Sequence, residues 1–357
     1  MPQLKVATFN VEWMVSIFGG QWKHWNGKIP TSFPGQKGPI RLAAIKDVPE
    51  LCRRIAGLIT TIDPDVIGIE EGPPLLAQMR LFVSRFLGDR YRVYQSNENR
   101  QSIFALVRNA LAGQMIQEPH DSPSLVLLNG KFPFYPWQGF QVKDQKQHRF
   151  DRVPLVLKFQ PTAQKELQIV VVHTKSKFSK LKTRAQWENR EKEPVLSALD
   201  SRQKLSAEVG QLRKYVTAQL QPLDLNKGVL VMGDFNDGPF ADLMEREFLL
   251  HNIVDELVGS FLDPDKYLRH AMTSSVLRNA ETVRFPDPLQ NGQIVGEFID
   301  HVLVSPSLVE GSGAFTLRAN SCQVETVAYD QFNADVNDKD RGLRPSDHRP
   351  VSAVIDY

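Results

Sequence analysis

The stretch Val229-Leu230-Val231-Met232-Gly233-Asp234-Phe235-Asn236-Asp237 decides how this chain reads. Its apolar, β-branched first half suits an interior strand. It then stops at Gly, Asp and Asn, which taken alone are ordinary turn residues. Residues two apart on an extended chain face the same side. A carboxylate at Asp234 and an amide at Asn236 would therefore project together from the mouth of a sheet. The rest of the chain has to choose between these readings.

Working outward, the same pattern recurs. Leu4–Val11 reads as a strand that delivers Asn10 and Glu12 to one end of a sheet. Asp47 reads as a helix cap followed by Pro49 and Glu50, and Leu51, Ile55, Leu58, Ile59 and Ile62 carry the helical period to Pro64. Asp65–Ile69 is a short buried strand ending in Glu70-Glu71, so that one acid can face inward and the other outward. A helix over Leu75–Leu87 and paired strands over Tyr91–Gln95 and Ser102–Arg108 follow. Strands over Arg152–Phe159 and Leu167–Val172 come next, the second ending in His173-Thr174-Lys175-Ser176-Lys177.

Ser197–Leu220 predicts a long amphipathic helix, which Pro194 opens or interrupts. Pro239 starts another helix to about Leu250. Phe298–Ser305 is a strand with Asp300 near its start, and Ser346-Asp347-His348-Arg349-Pro350 leads into a last strand ending near Ile355. Two stretches, near 15–46 and 113–150, read as inserted loops. Within the second, Ser124–Leu128 is predicted as a strand and Phe132–Trp137 as an aromatic loop. The aromatics Phe18, Trp22, Trp25, Phe33 and Trp137 either contact a nucleic acid or pin their loops to the body. The acidic run Asp335–Asp340 lacks a calcium-loop pattern and reads as a surface turn.

Composition bounds the answer. With 357 residues, 41% hydrophobic and 24% charged, the chain can bury a sizeable core. A net charge of +2 is too balanced to imply a polyanion partner by itself, so such attraction must be local. Lys175, Lys177, Lys180, Lys182 and Arg184 form one local basic segment, with Lys175 and Lys177 nearest the strand end and best placed to meet substrate phosphates. Two cysteines build no disulfide framework, which makes a reduced compartment the default. No signal-peptide pattern and no run of about 20 apolar residues is present. A cytoplasmic monomer with no membrane segment and no deducible protein partner is the expectation.

Asn10, Glu71, His173, Asp234, Asn236, Asp300, Asp347 and His348 all fall at or beside the ends of apolar strands. That regularity predicts one polar site at a shared sheet edge. Carboxylate and amide oxygens without paired cysteines suit Mg²⁺ or Mn²⁺ better than zinc. A hard cation with two histidines and an aspartate is a set for attacking a phosphorus ester. If Asp300 bonds His348, it fixes the imidazole tautomer and stabilises its cationic form.

The motifs Thr8-Phe9-Asn10-Val11, Asp65–Glu71, Val172-His173-Thr174-Lys175-Ser176, Gly233-Asp234-Phe235-Asn236, Ile299-Asp300-His301-Val302 and Ser346-Asp347-His348-Arg349-Pro350-Val351 follow one another in this order. In combination they resemble the endonuclease/exonuclease/phosphatase superfamily, the metal-dependent phosphoesterases that include pancreatic-type deoxyribonuclease and abasic-site endonucleases. The resemblance implies an α/β four-layer sandwich of two packed mixed β-sheets flanked by helices, formed by a single domain over 1–357. It implies that Asn10, Glu71 and Asp347 hold the metal, with Glu70 standing where a glutamine is common. His173 resembles the residue that contacts the phosphate or protonates the leaving group. Asp234 and Asn236 resemble the pair that positions water and phosphate oxygens. Asp300 resembles the orienter of His348, itself the base or transition-state stabiliser. One departure is visible: Gln101 falls about where the deoxyribonuclease branch has a glutamate supporting the histidine equivalent to His173, which leaves that partner open. The expected activity is nuclease hydrolysis of DNA or RNA phosphodiesters by metal-assisted water attack. The alternatives are a phosphatase or phosphodiesterase for inositol phosphates, sphingomyelin or another small phosphoester, and a non-catalytic binding module.

Overall fold

A computed structural model describes residues 1–357 apart from 21–23, 39–40, 136–140, 221–223, 240–251, 310–312, 336 and 338. Trp22, Trp137 and the predicted helix to Leu250 lie outside the described residues.

Two parallel strand pairs form the frame. Gln3–Asn10 pairs in parallel with Val66–Gly72, and the helix Val48–Ile62 crosses between them. Lys165–His173 pairs in parallel with Lys227–Asp234, and the helix Lys192–Gln219 crosses between those. Antiparallel strands extend both pairs. The first sheet runs Thr316–Leu317, Val351–Asp356, Gln3–Asn10, Val66–Gly72, Ser102–Arg108, Tyr91–Gln95, with Gln323–Val324 also on Val351–Asp356. The second runs Arg269–His270, Asp300–Val304, Lys227–Asp234, Lys165–His173, Leu155–Thr162, Met115–Gln117.

Side-chain parity builds the layers. Leu4 and Val6 join Ile169, Val171, Leu230, Met232, Val302 and Ala353 in the core between the sheets. Their alternate neighbours Ala7 and Phe9 pack under Leu51, Ile55 and Phe82 of the first helical layer. Val170, Val229 and Val231 pack under Leu205, Leu212 and Val216 of the second. The result is helix, sheet, sheet, helix, as the family resemblance implies. Gly68 allows the close approach of the sheets: a Cβ there would sit 2.6 Å from Val171 Cγ1.

Local sequence signals explain most boundaries. Asp47 accepts a hydrogen bond from the Glu50 backbone N–H at 2.8 Å and so caps its helix. Pro194 lies in the first turn of its helix, where no N–H partner is required, so it opens the helix and does not break it. Two expectations are corrected. Ser124–Leu128 is not a strand but a turn of 3₁₀ helix, Pro123–Leu125, running into the short helix Val126–Asn129. Pro123 pre-sets the turn, and Leu125 and Leu128 bury at helical spacing. Phe132–Phe134 is not loop but one strand of a hairpin with Lys146–His148. Its Phe132 stacks edge-on against Phe150 and packs on the long helix. In the 15–46 insertion, Phe18 and Phe33 are buried and Trp25 packs edge-on against Phe18. These aromatics pin the loop to the body. Among the described residues no helix is long and apolar enough to cross a membrane.

Candidate active site

The inward-facing series on four strands run on past the apolar core and end in polar residues at one edge. Leu4, Val6 and Thr8 lead to Asn10; Ile169 and Val171 lead to His173; Leu230 and Met232 lead to Asp234; Val304 and Val302 lead back to Asp300. Registry places them side by side, because Asp234 is opposite both His173 and Asp300. Gly233 makes this possible. Its φ of +145° and a would-be Cβ 1.9 Å from Val172 O exclude any side chain before Asp234.

The contacts form one network. Asn10 Nδ2 donates to Asp234 Oδ2 at 2.9 Å, and His173 Nε2 lies 3.4 Å from the same oxygen. The Asn236 backbone N–H donates to Asp234 Oδ1 at 2.7 Å, while Asn236 Nδ2 donates to Thr174 O at 3.1 Å. Asp300 Oδ2 pairs with His348 Nδ1 at 2.9 Å. Asp234, Asp300 and His348 each offer a ligand atom within 4.8 Å of the others. Glu71 reaches the edge differently. A bulge after Ile69 turns it out of register, and its Oε2 accepts from the Trp13 N–H at 2.6 Å. Glu12, Trp13, Glu71 and Asn236 all hold positive φ, a concentration of backbone strain at one site.

Of the two adjacent acids, Glu70 is the one that faces between the sheets. It is fully buried and accepts from Thr8 Oγ1 at 2.7 Å, and its Oε2 has no partner among the described residues. Burying an ion costs several kcal/mol, and its carboxyl is pushed well above the usual range by that burial. Burial also raises Glu71 to about 7, with Asp347 adding to the shift, and Asp234 to about 6. Burial pushes His173 well below its ordinary pKa, with Arg152 and His348 adding to the shift. Burial works against a charge on His348 too, but Asp300, Asp347 and Asp234 outweigh it and raise the pKa well above the usual value.

Crowded acids of this kind fit a hard cation. Among the described residues, Asp234, Asp300 and His348 bring ligand atoms together, and Asp300 Oδ1 is buried without a hydrogen-bond partner there. A pH signature follows. Because Glu71 and Asp234 bind protons more tightly folded than unfolded, their contribution to stability falls as pH rises from about 4 to 7. A divalent cation offsets that loss when the acids are ionised. In melts at pH 5 and pH 7.5, Mg²⁺ is expected to raise Tm over the EDTA-treated protein more at the higher pH. An equal gain at both would contradict the assignment.

The basic residues are more committed than the sequence implied. Lys177 Nζ pairs with Oδ1 of buried Asp237 at 2.5 Å, and Lys175 Nζ donates to Ser176 O at 3.0 Å. Gln101 does not support His173. Its Oε1 accepts from Arg152 Nη1 at 2.7 Å, while Arg152 Nε and Nη2 donate to the carbonyls of His173 and Thr174. Among the described residues, buried His173 Nδ1 has no hydrogen-bond partner. Sequence reading missed two arginines. Arg152 grips the end of the His173 strand. Arg341, buried, donates to the carbonyls of Val11, Glu12, Arg344 and Pro345. Neither carries a motif; only the number of unmet carbonyls where two segments meet would have pointed to them.

A buried carboxylate–histidine pair beside an oxygen-rich edge fits acid–base work on a phosphoester. The model of the Endonuclease/Exonuclease/phosphatase family matches residues 50–348, and the chain belongs to that family, whose members are divalent-metal-dependent. No curated protein matches it. Similar solved structures include a humanized D. rerio TDP2 with 14 mutations (14% identity, 99% of each chain, TM-score 0.47). The human Nocturnin catalytic domain with bound sulfate is another (13%, 100% of this chain and 95% of that one, TM-score 0.48). A third is a Bacteroides thetaiotaomicron mannosyl-6-phosphatase (13%, 99% and 100%, TM-score 0.47).

Proposed function

We propose that residues 1–357 form one catalytic domain, a nuclease that hydrolyses DNA or RNA phosphodiesters by metal-assisted water attack. The observation that carries the chemistry is the meeting of Asp234, Asp300 and His348 within 4.8 Å at the edge that also presents Asn10 and His173. Asn10, Glu71 and Asp347 would hold Mg²⁺ or Mn²⁺. A bound divalent cation supplies charge neutralisation and polarisation of the phosphate. Asp234, fixed by Asn10 and the Asn236 N–H, orients water and phosphate oxygens. Asp300 holds His348 Nδ1, leaving Nε2 to act on the reacting oxygens. His173 contacts the phosphate from the other side.

For the nucleic acid, support comes from the segment after His173. Lys175 lies nearest the site, and Lys180, Lys182 and Arg184 are exposed beyond it. The Lys180–Glu193 pair is 68% and 80% exposed, so it costs little to open for a phosphate. A second reading, a small-phosphoester phosphatase, is favoured by the Lys177–Asp237 pair, which neutralises the cation that would otherwise follow a polymer backbone. A panel separates them: plasmid, single-stranded DNA and RNA against inositol phosphates and sphingomyelin, with Mg²⁺ or Mn²⁺ and an Asp234→Ala control. Cleavage confined to the small substrates would sink the nuclease reading. Glu71→Gln is expected to raise the Mg²⁺ concentration needed for half-maximal rate, measured by metal titration. An unchanged titration would remove Glu71 from the metal set.

A further inference from the structure

The segment between His173 and the helix Arg184–Glu188 has no regular structure, yet its main chain is fixed at successive points. The Thr174 N–H donates to Asp234 O at 3.0 Å and the Lys175 N–H to Glu208 Oε2 at 2.7 Å. Ser201 Oγ donates to Phe178 O at 3.0 Å, and the Lys180 N–H donates to Ser197 Oγ at 3.2 Å. Leu181 is buried against Trp187 and Leu199. On this anchored backbone the Phe178 ring stands 76% exposed. Lys182 Nζ lies 3.9 Å from the ring centroid. Phe178 follows Lys177, whose ammonium is tied to Asp237, and is five residues from His173, so it is within about 18 Å of it along the chain.

The Lys182 ammonium covers one face of this ring and is held there by Ser179 O at 2.8 Å, and the exposed remainder of a ring held out on a fixed backbone suits a π-faced base carried on a phosphate chain. We propose that Phe178 is a stacking platform for an unpaired base of single-stranded nucleic acid, a few nucleotides from the phosphate being cleaved, with the base on the ring face away from Lys182 and the exposed Lys180 facing a neighbouring phosphate. Bases inside a duplex are already stacked, so the platform favours single-stranded or frayed substrate. This inference rests on the nuclease reading above.

The test is anisotropy binding of a labelled single-stranded oligonucleotide, and of the same length of abasic-site oligonucleotide, in EDTA. Wild-type protein, Phe178→Ala and Phe178→Trp are compared, and matching melting curves confirm folding. Phe178→Ala is expected to bind the base-bearing oligonucleotide roughly 5- to 150-fold more weakly. It should bind the abasic one like wild type, and Phe178→Trp should restore binding with its indole fluorescence quenched. If wild type cleaves and binds the oligonucleotide but Phe178→Ala binds it equally well, the platform is overturned while the nuclease reading stands. If wild type neither binds nor cleaves it while hydrolysing a small phosphoester, the nuclease reading falls and takes the platform with it. If Phe178→Ala instead loses binding to phosphatidylserine vesicles and keeps oligonucleotide binding, the ring serves a membrane surface and the proposal is overturned.

Discussion

His348→Ala is expected to lower kcat on bis-p-nitrophenyl phosphate by roughly 10²–10⁴-fold, the range typical for a positioned acid–base group, with little change in KM. The argument is geometric. His348 is buried, its Nδ1 is held by Asp300 Oδ2 at 2.9 Å, and Asp234 lies within ligand reach of both. Those groups can act on a reacting oxygen but make no contact reserved for a leaving group's distal parts. Asp300→Asn should fall in the same direction, because the amide cannot stabilise the imidazolium. The double variant should be little worse than His348→Ala alone, since groups that act as a unit are non-additive. Steady-state rates at saturating Mg²⁺ check this. Near-normal turnover by His348→Ala would contradict the role.

Arg341→Met is expected to destabilise the fold by several kcal/mol, because buried carbonyls that lose their donor cost about 1–3 kcal/mol each. An exposed ion pair would cost only about 0.2–1 kcal/mol. Arg341 is 3% exposed and lies 3.4 Å from Glu12 Oε2. Its removal takes a donor from the carbonyls of Val11, Glu12, Arg344 and Pro345, while Glu12 keeps its ion pair with Arg344 at 3.2 Å. The same stretch carries Ser346, whose Oγ donates to Asn10 O at 2.6 Å. Loosening it should therefore separate Asp347-His348 from Asn10, and activity should fall below the folded fraction. Urea unfolding followed by circular dichroism, with rates measured well below the midpoint, tests both parts. A wild-type midpoint would show that Arg341 bridges nothing of consequence.

Much of the site was legible because strand chemistry is local. An apolar run that stops at a short polar side chain marks a strand end, and parity says which residues share a face. Asn10, His173, Asp234 and Asp300 could be set on one edge that way, and the motif order gave the family. The pairing of Asp300 with His348 was anticipated from residue types, and the 2.9 Å contact makes it definite. The two loops were harder. Ser124–Leu128 has strand-like composition, but Pro123 and the burial of Leu125 and Leu128 impose a helical turn. Pro123 is the one local signal for the turn, and the burial of Leu125 and Leu128 depends on the surface they pack on.

What the sequence determined by itself was most of the strands and helices and the polar residues that end them, because period, caps and strand-end residues are written in neighbouring positions; the layer order and the roles at the site came from the family resemblance. What only the tertiary structure decided was how those residues are held. Lys177 is spent on Asp237, Gln101 turns to Arg152 and away from His173, Glu70 is sealed between the sheets while Glu71 bends out on a positive φ, and Arg341 ties the first strand to the last loop. Each of these is a contact between residues distant in the chain. The Lys177, Gln101 and Arg341 contacts exist because a buried polar atom must find a partner wherever the fold happens to bring one.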